Sequence, residues 1–79
     1  MRLDQGITSK HMKAAVEQLK HIRGLQMDLD LLVDRIPDRK VAHVCEEALY
    51  QAGGILHRPD LDRENVVTEA IRLVIRRID

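Results

Sequence analysis

The chain has no phenylalanine and no tryptophan, and Tyr50 is its only aromatic residue. A core without these rings has to be assembled from Leu, Ile, Val, Met and Ala, side chains suited to packing helix against helix. Cysteine is almost missing too. With Cys45 alone no disulfide can close within the chain, and one unpaired thiol fits a reducing compartment better than a secreted, disulfide-stapled fold. No apolar run approaches the roughly 20 residues of a membrane span. The opening Met1-Arg2-Leu3-Asp4 carries no apolar stretch of the signal-peptide kind. A cytoplasmic protein is expected. Net charge is absent as well, because 13 basic and 13 acidic residues cancel. That removes the global electrostatic footprint of most nucleic-acid binders.

What remains is 79 residues, enough for one domain near the lower limit at which a single core sustains a fold. Residues 1–7 read as an arm. Thr8 or Ser9 offers a hydroxyl to cap a helix. From Met12 a heptad runs with Met12, Leu19, Gln26 and Val33 at one position and Ala15, Ile22, Leu29 and Ile36 at the other. Val16, Leu25 and Leu32 widen the stripe. This 3.5-residue spacing predicts a coiled-coil-like helix over residues 8–36, ended by Pro37. A second helix is expected over 38–52, with Val41, Cys45, Ala48 and Ala52 on its apolar face. Gly53-Gly54 stops it, since glycine takes a positive φ without a Cβ clash. Ile55 and Leu56 then anchor the loop. A third helix is expected over 60–78, opened by Pro59, Asp60 and Asp62, with Val67, Ala70, Ile71, Val74, Ile75 and Ile78 inward. Its acids lead and Arg72, Arg76 and Arg77 follow, as the helix dipole prefers. The fold class is therefore all-α: three helices in an antiparallel bundle.

Length raises a question for the first helix. Residues 9–36 in one rod span about 42 Å, while the other two helices are shorter by roughly a third. The rod either bends near Gly24 or overhangs its neighbours and exposes its seam unless a second subunit covers it. Its charges run Lys10, Lys13, Lys20 and Arg23 in the first half and Asp28, Asp30 and Asp34 in the second, the order that suits two antiparallel copies. A homodimer is expected through Met12, Leu19, Ile22, Gln26, Leu29 and Val33, with Lys20 of one chain near Asp28 of the other.

Few residues suggest chemistry. His43 and Glu47 stand four apart, a spacing that can hold two metal ligands, but no further cluster completes a site. His43 and Cys45 are two apart and point in different directions on a helix, so the histidine is no base for the thiol. Gly53-Gly54 lacks the strand and further glycines of a phosphate loop. No catalytic, metal or cofactor residue is assigned, and the protein is expected not to be an enzyme. Tyr50, beside His43, Glu46 and Glu47, is the kind of exposed ring that anchors interfaces. Arg72 and Arg76 share one face of the last helix and extend the possible partner surface. The expected function is protein–protein interaction, as an adaptor, inhibitor or assembly and regulatory subunit.

One stretch allows another architecture. Leu25-Gln26-Met27-Asp28-Leu29-Asp30-Leu31 alternates apolar and polar at every step, as a strand does. A strand at 25–31 followed by helices over about 38–52 and 62–78 resembles the order of ribbon-helix-helix repressors. The run Arg63-Glu64-Asn65-Val66-Val67-Thr68-Glu69-Ala70-Ile71-Arg72 is similar to that family's second helix. The likeness covers about half the chain and implies a small DNA-binding regulator whose strand residues Gln26, Asp28 and Asp30 enter the major groove. Carboxylates there would repel phosphates and base acceptors. Leu, Met, Gln and Asp are also poor strand formers, so helix is the expectation for this segment.

Overall fold

A computed structural model describes residues 6–53, 56 and 62–78. These form four helices: α1 (Ser9–Ile22), α2 (Leu29–Asp34), α3 (Arg39–Gln51) and α4 (Arg63–Ile78). No strand occurs among the described residues. The all-α expectation holds, with four helices in place of three.

The added helix comes from a break in the expected rod. α1 ends at Ile22, and the chain runs through residues 23–28 without helix before α2 begins. The reason is burial. The longest dimension of the molecule is 34 Å, too short for a 42 Å rod. A straight helix would have carried Leu29, Leu32, Val33 and Ile36 past the end of α3. Folded back, each is at most 7 % exposed. Four aliphatic side chains at about 1.5–3 kcal/mol each outweigh a few backbone hydrogen bonds at about 0.5–1.5 kcal/mol. Gly24 lies at the break, where its poor helix propensity costs least.

The alternation at 25–31 has a physical meaning, though not the one a strand would give. Leu25 and Met27 are half-buried against the core, while Gln26 and Asp28 face water. This is a linker laid over apolar surface, with Asp28 extended at φ −60° and ψ 142°. From Leu29 the buried positions Leu29, Leu32, Val33 and Ile36 switch to helical spacing. The ribbon that a ribbon-helix-helix reading needs is not there.

Local chemistry fixes the other ends. The Thr8 hydroxyl faces the His11 amide, and the Thr8 amide donates to His11 Nδ1 at 3.0 Å, closing a capping box with histidine in the usual glutamate position. Asp38 caps α3 by accepting from the Lys40 and Val41 amides. Gly53 ends α3 at φ +94°, whereas Gly54 and Ile55 lie outside the described residues. Asp62 accepts from the Asn65 amide at the start of α4; Pro59 and Asp60 also lie outside the described residues.

α4 packs on α1 and α3, α1 packs on α3, and α2 packs on α3 as well. The C-terminal end of α4 (Arg77, Ile78) meets the start of α1 (Ile7–Met12). The core is entirely aliphatic apart from Cys45, with no buried polar residue among those described. Leu56 packs on its margin, as its role of loop anchor requires.

Cys45 is 0 % exposed and its thiol donates to the Ala15 carbonyl at 3.6 Å, which ties α3 to α1. Burial pushes the thiol up to about 12 from an ordinary 9.0. The unfolded chain therefore ionises first as pH rises. The stability held by the neutral thiol is complete below pH 9.0 and is lost as pH climbs toward about 12. The loss runs at up to about 1.4 kcal/mol per pH unit. Alkaline unfolding followed by circular dichroism is expected to show this slope in the natural chain and not in Cys45→Ala.

Candidate interaction surface

The residues assigned to a dimer seam lie elsewhere than that reading requires. Met12, Leu19, Ile22, Leu29 and Val33 are between 0 % and 7 % exposed, covered by their own chain. Gln26 is exposed on the linker, with no seam to sit in. Lys20 lies 3.9 Å from Glu17 on its own helix, and Asp28 stands on the far side of the break. The coiled-coil rod with an uncovered stripe is thus replaced by two shorter helices, α1 covered by α3 and α4, and α2 packed on α3. This corrects the dimer contact through the first helix.

The second group of expected residues fares differently. On α3 the core takes Val41, Ala42, Val44, Cys45, Ala48 and Leu49. Helical periodicity then forces Arg39, Glu46 and Tyr50 outward, with His43 and Glu47 on the shoulder. His43 Nε2 lies 3.6 Å from Glu47 Oε2, as their spacing of four implies. Gln51 Nε2 donates to Glu47 Oε1 at 3.1 Å, and Arg77 Nη1 reaches the same oxygen from α4 at 3.2 Å. Glu47 is thus the knot that holds this face in shape.

Beside the knot lies a hollow of about 470 Å³, lined by His43, Glu46, Glu47, Tyr50, Gln51 and Leu56. Tyr50 stands on it 70 % exposed. An apolar ring held in water at a concave surface is the usual make-up of an interface anchor. Smaller hollows lie by Thr8 and Arg77 and between His21 and Arg35. Neither presents an aromatic.

No protein-family profile, no curated protein and no solved structure matches this chain. What the surface does has to be argued from its own residues.

Arg72 and Arg76 do not join the α3 hollow. They point outward on α4, where Arg72 lies 3.4 Å from Glu69. The arginine that reaches α3 is Arg77, which sequence reasoning grouped with its neighbours. Its bond to Glu47 crosses 30 positions and follows only from how α4 packs on α3. Gln51 was legible in principle, being four residues beyond Glu47 on one helix face. Among the described residues no three His, Cys, Asp or Glu side chains converge as metal ligands, and no helix is long and apolar enough to cross a membrane.

Beyond its Asp38 cap, α3 carries a charge order opposite to the one its dipole prefers. Arg39 and Lys40 occupy the first turn, no acid stands there, and no base stands in the last turn. Each misplaced exposed charge costs about 0.3–1 kcal/mol at low ionic strength. On α4 the order is favourable, with Glu64 first and Arg76 and Arg77 last.

Proposed function

We propose that this protein is a non-enzymatic interaction module, an adaptor, inhibitor or regulatory subunit, that docks other proteins on the outer face of α3. The observation that carries the reading is Tyr50. The chain's single tyrosine, its only Phe, Trp or Tyr side chain, is kept out of a core that would gain from it, and stands 70 % exposed at the edge of a hollow of about 470 Å³. A ring of this size that is buried on binding contributes strongly, and truncating such an anchor commonly costs about 2 kcal/mol or more of affinity. Glu47, braced by His43, Gln51 and Arg77, keeps the surrounding side chains ordered before a partner arrives, which lowers the entropic cost of docking.

The test compares the natural chain with Tyr50→Ala as baits in an extract of the source cells. Truncation of an exposed ring is expected to leave stability within about 0.5 kcal/mol. At least one protein should be recovered by the natural chain and depleted about tenfold or more by the variant. Equal recovery by both baits would remove α3 as the docking face.

A further inference from the structure

The outward residues of α3 follow a seam. Arg39, His43, Glu46 and Tyr50 are spaced four, three and four apart, the alternation by which one helix lies along another. The stripe is basic at its start, through Arg39 and neighbouring Lys40, and acidic further on, through Glu46 and neighbouring Glu47. This is the order that the dipole of α3 disfavours and that α4 avoids.

We infer that a second copy of this chain occupies the face, with the two α3 helices antiparallel about a two-fold axis near His43. The inference rests on the reading of α3 as the docking surface and names its occupant. A two-fold contact matches a patch with itself, so the patch must be self-complementary. An antiparallel copy meets that demand, because reversal sets the basic end of each helix against the acidic half of the other. With the axis between Ala42 and His43, Arg39 of each copy lies opposite Glu46 of the other. Tyr50 is carried past Arg39 to the N-terminal end of the other copy's α3. A parallel pair would instead oppose like charges along the whole stripe. The α4 face is a poorer match, since an antiparallel α3 would bring Arg39 against Arg76 and Glu46 against Glu69.

One helix of 13 residues from each side is a small contact. Association is therefore weak, with a dissociation constant on the order of 100 µM. Sedimentation of the full chain from about 10 µM to about 1 mM should show the average mass rising from 9.1 kDa toward twice that value. Arg39→Glu alone and Glu46→Arg alone each oppose like charges and should weaken association about tenfold or more. The double exchange R39E/E46R restores opposite signs and should return it to within about threefold of the natural chain. Both substituted positions are exposed, and circular dichroism verifies the folding of all three variants.

A natural chain that stays monomeric throughout, a single reversal without effect, or a double exchange that fails to restore association each overturns the inference. Its failure is separable from that of the docking reading. A monomeric chain whose partner capture still depends on Tyr50 removes only the second copy, whereas loss of that dependence removes the docking face as well.

Discussion

Replacing Val33 with aspartate is expected to unfold the protein rather than to separate chains. Val33 is 1 % exposed on α2, packed into the core that its own chain supplies. A carboxylate there would be buried with no cation beside it, since no residue of that core is charged. An uncompensated buried charge costs about 3–5 kcal/mol or more. At about 0.05–0.15 kcal/mol per residue, a domain of 79 residues has roughly 4–12 kcal/mol in total. The loss takes all of the stability at the lower end of that range and a large part of it at the upper end. Far-UV circular dichroism should show the helical signal lost at 25 °C or melting far below the natural chain. A helical, monomeric Val33→Asp would mean instead that this face is a contact between chains and that the fold-back is wrong.

Leu49→Ala is the second large effect. Leu49 is 0 % exposed on α3, the helix against which α1, α2 and α4 all pack. Removing three carbons leaves a cavity at the junction of these layers, for which about 2–5 kcal/mol is expected. In urea the unfolding midpoint should fall steeply with little change in slope. Leu31→Ala supplies the contrast. Leu31 is 48 % exposed on α2, so the same chemical change should cost under about 1 kcal/mol. Equal effects at the two sites would contradict the packing around α3.

Much of this architecture was legible in the residues, and the exception is instructive. Thr8 and Gly53 mark helix ends by chemistry that acts over three or four residues, so local rules found them; Asp38, expected as the first residue of its helix, is instead the cap one place before it. The apolar stripes of α3 and α4 were equally plain. The rod over 8–36 failed because a heptad records which side chains are buried and not what buries them. Met12, Leu19, Leu29 and Val33 keep their 3.5-residue spacing in the folded chain, yet α1 and α2 present them to one core from two directions. The clue to the break was present in the alternation from Leu25 onward and in the excess length of the rod. On the α3 face, spacing alone placed His43, Glu47 and Tyr50 together. It did not predict the Arg77 brace, which depends on how two helices far apart in sequence cross.

The exposed position of Tyr50 also makes the molecule its own spectroscopic probe. Every interior side chain is transparent above 270 nm, so the single phenol is the only intrinsic emitter, and it already stands in water in the native state. Its fluorescence should barely register melting of the helices, yet it should respond when another surface closes over α3. Association can thus be followed optically, without a label, on a signal nearly blind to unfolding.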